Sequence, residues 1–411
     1  MDAANPPTGL SPERPEPNWP KLLFVHDFRP ESRLTADLFR QLFLGYPRDR
    51  LAWWYCRETE VYAQPDLQAG TLHRFRLPAK WVPNQRLSRL KSFILEWFWV
   101  PLAARHLTRT IRESRPDLVC VSLFGWALPV AALACVQAGV RLHVSLWDFP
   151  DTNAGIKVLG ERRSQRFVNG IFKLVRRADS FDGISRAVLA EIKSQTGRTD
   201  GLLVHSGFEP KHLAALATAA APPATDVLRI AYAGTIISEA GFLALLAALK
   251  KVRRHALKKI VLEFFGGRNY RGRDWFEPDW MVEHGMFSDE DLVAALRRCE
   301  WGIVVMDPAG EDLRYSRFSF PNKVGTYLSA GVPVLGFGHP QCSLGQIMQQ
   351  HRLGCFTSAG EADELEKFLQ TSLALSSPRD FFRVEILRCA NTEFNAAAMR
   401  TQLWRGWGAR D

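Results

Sequence analysis

Short, almost wholly apolar runs alternate with helical patterns along the chain, in two successive sets, and this restricts the fold more than any other property of the sequence. A strand that is apolar at every position has no solvated face, so it belongs in a parallel sheet covered by helices on both sides. The first set opens with KLLFVHDF at 21–28, followed by Leu34, Leu38 and Leu42 at helical spacing. Strand candidates at 51–55 and 72–77 come next, then a mostly helical stretch at 86–112 that Pro101 kinks or divides. LVCVSLFG at 118–125, a helix at 128–138, LHVSLWD at 142–148, a basic helix at 165–178 and FDGIS at 181–185 complete the set. The second set runs from LRIAYAGTI at 228–236 through IVLEFFGG at 260–267 and the strand, helix and strand within 282–308. The fold class this predicts is α/β, with two Rossmann-like, doubly wound parallel-sheet domains facing a cleft.

A chain of 411 residues is too long for one ordinary core and suits two domains of about 150–200 residues each. Hydrophobic content of 46% and charged content of 23% exclude a disordered chain. The longest apolar runs, 92–104 interrupted by Glu96 and 125–140 interrupted by Pro129 and Gln137, fall short of the roughly 20 residues a spanning helix needs. The boundaries read as a Pro-rich, acidic and disordered arm at 1–20, an N-terminal Rossmann-like domain at 21–213 and an Ala- and Pro-rich linker at 214–226. A C-terminal Rossmann-like domain at 227–376 follows, then a helical tail at 377–411 for which a course back to the N-terminal domain is open. The arm has no apolar core of the kind a signal peptide carries, so a cytoplasmic location is expected. The seven cysteines include no C-x-x-C spacing and read as buried thiols in a reducing compartment. A net charge of +10 favours an anionic partner, and no helix-turn-helix, zinc or aromatic ribonucleoprotein signature makes that partner a nucleic acid.

The stretch FSFPNKVGTYLSAGVPVLGFG at 318–338 carries the chemistry. Pro321 fits the first position of a helix that Val324, Tyr327 and Leu328 continue and Gly331 stops, and a strand follows at 332–336. Unpaired N–H groups at such a helix start, with Lys323, Arg314 and Arg317 at the same end, suit an anionic leaving group. The run PNKVGTYLSAGVPVLG resembles the P-[SN]-K-x-x-E-Y-x-A-x-G-x-P-V stretch of nucleotide-sugar-dependent glycosyltransferases with the GT-B fold, of the group 1 or family 4 kind. LRIAYAGTI, IVLEFFGG and VEHGMFSDEDLVAALRRCEWGIVVMDP resemble that family's preceding strands and turns in the same order.

The resemblance implies a donor site of Gly234, Thr235, Gly266, Gly267, Arg268, Met286, Arg317, Ser319, Asn322, Lys323 and Thr326. From the residues themselves, catalysis would fall to Lys323 and Arg314, with Asp148 and Asp27 at the ends of strands on the acceptor side. The resemblance also implies a hexosyltransferase-like reaction that retains anomeric configuration, uses a nucleotide diphosphate sugar as co-substrate, and needs no cofactor and no metal. The acceptor would be a glycan or lipid-linked glycan of a bacterial surface polysaccharide or similar glycoconjugate. This chain departs from the pattern at both glutamates of the E-x7-E motif, which fall on Phe318 and Thr326. It departs again at the Gly-Arg and Lys-Gly pair that grips the diphosphate, which becomes Gly234-Thr235 and Ala240-Gly241. An epimerase or hydrolase of the same fold, or a nucleotide-sugar-binding protein that has lost catalysis, are the rival readings, and the second gains from these departures.

Other features admit two accounts. Asp289-Glu290-Asp291 has the D-x-D spacing of a metal site, yet it follows Ser288 at a helix start, where capping and dipole effects account for it. His26, Asp27, Asp148 and Asp151 end strands of the first set, and each either meets an acceptor hydroxyl as a base or caps a loop. His143 and His205 lie within or beside apolar runs and read as structural. The stretch 86–112 joins Phe93, Trp97, Phe98 and Trp99 to Arg86, Arg89, Lys91, Arg105, Arg109 and Arg112. It is either a helix lying on the anionic inner face of the plasma membrane or a core helix with a solvated basic face.

Overall fold

The computed structural model describes residues 18–32, 39–58, 69–78, 87–122, 125–147, 161–218, 225–308, 313–358 and 360–409. Asp148, Asp151, most of the Pro-rich arm and the middle of the linker lie outside these residues, as does the side chain of Arg314.

The N-terminal sheet contains β1 (Leu22–Val25), β2 (Leu51–Tyr55), β3 (Thr71–Arg74), β4 (Leu118–Ser122), β5 (Leu142–Leu146), β6 (Ser180–Gly183) and β7 (Leu202–Leu203). Its helices are α1 (Ser88–Ile94), α2 (Val100–Ser114), α3 (Ala127–Ala138), α4 (Glu161–Arg177), α5 (Arg186–Thr196) and α6 (Pro210–Thr218). The C-terminal sheet contains β8 (Val227–Ala233), β9 (Lys259–Phe265), β10 (Met281–Glu283), β11 (Trp301–Val305), β12 (Val334–Phe337) and β13 (Gly354–Thr357). Around it lie α7 (Glu239–His255), α8 (Asp289–Leu296), α9 (Leu313–Phe318), α10 (Lys323–Ser329), α11 (Ser343–Gln350) and α12 (Ala362–Leu373), and the chain ends in α13 (Pro378–Thr392) and α14 (Ala396–Trp407).

Every described strand pair is parallel, in the orders β3-β2-β1-β4-β5-β6-β7 and β10-β9-β8-β11-β12-β13. Both are doubly wound sheets whose order reverses once, between β1 and β4 and between β8 and β11. The apolar runs have the expected cause. Successive residues of β1 point to opposite faces: Leu23 and Val25 join one core cluster, Leu22 and Phe24 the other. With both faces buried, no position of the strand is left polar.

Two stretches depart from the expected elements. The break at Pro101 takes the form of a π-turn at Leu95–Trp99, where the Val100 N–H bonds back to Leu95 O just before the proline. The strand expected at 332–336 begins at Val334, because Gly331 (φ 69°) and the residues after it still complete the helix end. All seven cysteines are free thiols and all but Cys355 are buried. Among the described residues no helix is long and apolar enough to cross a membrane.

The two sheets are joined by side chains as well as by the chain. Phe318, on α9, is 2% exposed and belongs to the N-terminal core cluster. Ser185, which caps α5 by accepting from the Val188 N–H, also donates to Phe318 O at 3.0 Å. Beside it His205 stacks on Phe320 at 4.7 Å, and Arg186 pairs with Glu393 at 3.0 Å. At the other end α14 returns across the N-terminal sheet: Leu403 and Trp407 are buried with Phe24, Phe43 and Trp53, and Trp404 Nε1 donates to Leu42 O at 3.0 Å.

Candidate active site

At the carboxyl end of the C-terminal sheet two glycine turns lie against each other. Gly234 follows β8 in the left-handed region (φ 77°), and Gly266 follows β9 at φ 145°. A Cβ on Gly266 would come within 3.2 Å of Gly234 Cα, so both the backbone angles and the close approach require glycine. Tyr270 pins the first turn from outside, its hydroxyl donating to Gly234 O at 3.1 Å and accepting from the Ile236 N–H at 3.0 Å.

From the other side α10 brings Lys323 to the same turn. One helical turn further on, Tyr327 fills the space above Gly302, where a Cβ would lie 2.4 Å from its ring. The Tyr327 hydroxyl accepts from the Ala233 N–H at 2.7 Å and donates to Ile303 O at 3.0 Å, which ties α10 to both β8 and β11. Residues at i and i+4 share a helix face. Lys323 is thereby aimed at the crevice where the strand order reverses, the place where ligands gather on such sheets. Its Nζ donates to Tyr232 Oη at 2.9 Å and to Thr235 O, and sits 4.1 Å from the centre of the Tyr232 ring. Burial without a carboxylate partner pulls its pKa down to about 7.

The other expected donor-site residues are distributed around this centre. Thr235 and Asn322 are exposed, and Arg268 is exposed on the loop after β9. Gly267 lies under Met286, whose Sδ would be 3.0 Å from an added Cβ, and Met286 itself is 61% exposed. Thr326 is half-buried and its hydroxyl donates to Asn322 O at 3.3 Å. Arg317 stacks on Phe318 at 5.3 Å. Ser319 is buried, its carbonyl taken by Ser343 Oγ and its own Oγ without a partner. Arg314 lies on α9, one turn before Phe318.

Asp27 is corrected by its surroundings. Its side chain is fully buried, with Oδ1 accepting from the Ala127 N–H at the start of α3 at 2.7 Å and Oδ2 lying 3.2 Å from Arg57 Nε. Gly125 packs over it so closely that a Cβ there would meet Oδ2 at 2.0 Å. Desolvation raises its pKa against the opposing charge of Arg57. A carboxylate closed off in this way reaches no acceptor hydroxyl; it caps α3 and holds the loop of Arg57. His26 is likewise buried, hydrogen-bonded to Ser122, and held neutral with a pKa lowered to about 3 by desolvation. His143 lies in a buried network, 2.8 Å from both Ser180 Oγ and Asp182 Oδ2, as a structural histidine should. Ser288 caps α8 by accepting from the Asp291 N–H, which accounts for the acidic run.

Sequence reasoning missed Tyr232 and Tyr270 as parts of the site. A tyrosine two residues before the glycine turn, in a strand otherwise free of hydroxyls, was the available signal for Tyr232.

Two doubly wound parallel-sheet domains in one chain are the architecture of the GT-B fold. Within that class, residues 239–372 match the family model described as "Glucosyltransferase 3-like, C-terminal domain". Three solved structures show the likeness of fold over nearly the whole chain. HepE (Alr3699) of Anabaena, in complex with UDP and glucose, is 16% identical, with 94% of this chain and 98% of that chain covered at a TM-score of 0.62. The E. coli protein described as "trehalose-6-phosphate … bound with UDP-2-fluoro glucose" is 13% identical, with 95% and 100% covered and a TM-score of 0.62. WaaG, a glycosyltransferase involved in lipopolysaccharide biosynthesis, is 12% identical, with 93% and 98% covered and a TM-score of 0.57. No curated protein matches the sequence.

Proposed function

We propose that the protein transfers a sugar from a nucleotide diphosphate sugar to an acceptor hydroxyl, in the assembly of a surface polysaccharide or similar glycoconjugate. The observation that carries this reading is Lys323, held by Tyr327 against the glycine turn at the crevice of the C-terminal sheet. As the anomeric C–O bond breaks, negative charge grows on the departing diphosphate, and a preorganised cation there stabilises it. The approach of a phosphate raises the pKa of Lys323, so its amine takes up a proton from solvent and meets that growing charge as an ammonium group. Arg314 and Arg317 supply further positive charge from α9, and the glycine turns let phosphate oxygens approach the backbone. Asp148 is the carboxylate we assign to the acceptor side. The transfer needs neither cofactor nor metal in this reading, and it retains anomeric configuration.

A panel of nucleotide sugars tests the proposal. One or more should raise the melting temperature of the pure protein and be consumed in the presence of an acceptor, with EDTA harmless. Lys323→Ala should fold normally and lose about 10²- to 10³-fold in turnover. Stabilisation without turnover for any acceptor would instead favour a binding protein that has lost catalysis, a reading that Phe318 and Thr326 at the positions of the motif carboxylates support.

We further propose that the protein docks on an anionic membrane, where a lipid-linked acceptor would be presented. Leu90, Phe93, Trp97, Phe98 and Leu102 are exposed along α1, the π-turn and α2, with Trp97 and Phe98 each 64% accessible. Arg89, Arg105, Arg109 and Arg112 are exposed on the same helices. Trp99 does not belong to this face: it is buried, and its Nε1 donates to Arg76 O at 3.1 Å.

A further inference from the structure

The helix that carries Lys323 is held from two sides. Its body belongs to the C-terminal domain, through the bonds of the Tyr327 hydroxyl to β8 and β11. The segment that leads into it is held by the other domain. Phe318 is buried in the N-terminal core with its carbonyl bound by Ser185, and Phe320 stacks on the His205 ring at 4.7 Å with an interplanar angle of 10°. His205 is carried by the N-terminal sheet, because it follows β7 closely and the N–H of its neighbour Val204 donates to Gly183 O on β6 at 3.0 Å. The ring is itself fixed. Nδ1 donates to Ser206 O at 2.9 Å, and Phe394 packs against it at 4.8 Å. Phe394 lies where the returning chain passes the outgoing one, with the Phe208 N–H donating to Phe394 O at 2.6 Å and the Ala396 N–H to Phe208 O at 3.1 Å. Nε2 of His205 has no hydrogen-bond partner and lies 3.9 Å from Glu393 Oε1, so what this side chain offers Phe320 is an aromatic face. Between Phe320 and the helix stands Pro321, which fixes its own φ and restricts the residue before it. A shift of Phe320 is therefore passed on to Lys323 and not absorbed on the way.

We infer that His205 is a positioning residue for the donor site: by holding Phe320 on the N-terminal domain it sets, through Pro321, where Lys323 stands over the glycine turn, and so makes donor binding depend on the orientation of the two domains. The inference rests on the donor-binding reading above and adds a residue that neither the motif nor the glycine turns include.

Calorimetric titration with UDP and GDP at pH 8, in buffers of different ionisation heat, tests it on the wild-type protein, H205A, H205F, F320L and the double variant H205A/F320L. Melting curves first establish which variants fold. H205A and F320L should each bind the diphosphate that the wild type binds about three- to thirtyfold more weakly. The double variant should bind no more weakly than the weaker of the two, since both remove one contact, and H205F, which keeps the aromatic face, should bind as the wild type does. A second readout separates positioning from plain stability. Lys323, with a pKa of about 7 in its place against Tyr232 and Thr235, takes up a proton when a diphosphate binds at pH 8. Released from that place it is already charged, so the uptake should shrink in H205A and F320L and persist in H205F. If H205A does not fold, F320L and H205F decide the matter. A folded F320L or H205A with a lower melting temperature but wild-type affinity and proton uptake overturns the inference, and the donor reading stands without it if K323A still weakens binding. A wild-type protein that binds neither diphosphate overturns the donor reading and the positioning role together.

Discussion

Lys323 is charged in water at every physiological pH, but its folded environment moves the midpoint from an ordinary 10.5 to about 7. Between those values the unfolded chain holds a proton that the folded protein has released, so stability rises with pH across the window and is flat below it. A diphosphate requires the charged form. Above pH 7 its binding must therefore take up a proton, and affinity should fall by up to about tenfold per pH unit. Titrations of UDP at pH 6.5, 7.5 and 8.5, in buffers of different ionisation heat, should show this proton uptake in the wild type and none in Lys323→Ala. A wild-type affinity independent of pH would mean that Lys323 stays charged in the free protein. The lysine and both glycine turns were legible in the sequence because each announces itself locally, by a helix start or by the end of a strand. What the lysine touches was not, since Tyr232 lies 91 positions earlier. The two accounts of Asp27 likewise could be separated only by Gly125 and Arg57, which the fold places on top of it.

The strands and most of the helices could be read because their cause is a local pattern: continuous apolar runs for strands covered on both faces, and apolar spacing for the helices around them. The stretch 86–112 shows where this ends. Sequence leaves its aromatic residues undivided, and the packing of one helix face is what sorts them. Trp99 falls on the face of Ser92, Leu95 and Ala103, which is buried, while Trp97 and Phe98 fall outside it. Neighbouring tryptophans should therefore respond in opposite ways. Trp97→Ser combined with Phe98→Ser should leave unfolding nearly unchanged and weaken sedimentation with anionic vesicles about tenfold, and salt should release the wild type, because each basic residue near the surface adds only about 1 kcal/mol. Trp99→Ser should instead destabilise the protein by about 3–5 kcal/mol in denaturant unfolding. A wild-type protein that ignores such vesicles at low salt would remove the membrane proposal, whatever the exposure of its aromatics.

Across the whole molecule the doubly wound pair of sheets followed from the sequence, but the seam between them did not. The residue at the position of a motif glutamate, Phe318, inserts into the core of the opposite domain, and its carbonyl is held by Ser185, 133 positions away. Phe318→Ala should cost about 3–5 kcal/mol, and Phe318→Glu at least as much with no gain in turnover, because the carboxylate would enter a buried contact and not a sugar site. A Phe318→Glu protein with wild-type stability and higher turnover would show the side chain facing the cleft. The return of α14 has a different outcome. Arg400 donates to Gln41 O and Trp404 to Leu42 O, contacts that span 359 and 362 positions. During synthesis at about 5–20 residues per second, the first sheet leaves the ribosome long before the helix that covers Phe43 and Trp53. One face of the first domain to emerge is therefore the last to close, and until α14 arrives its aromatic residues are open to chaperones.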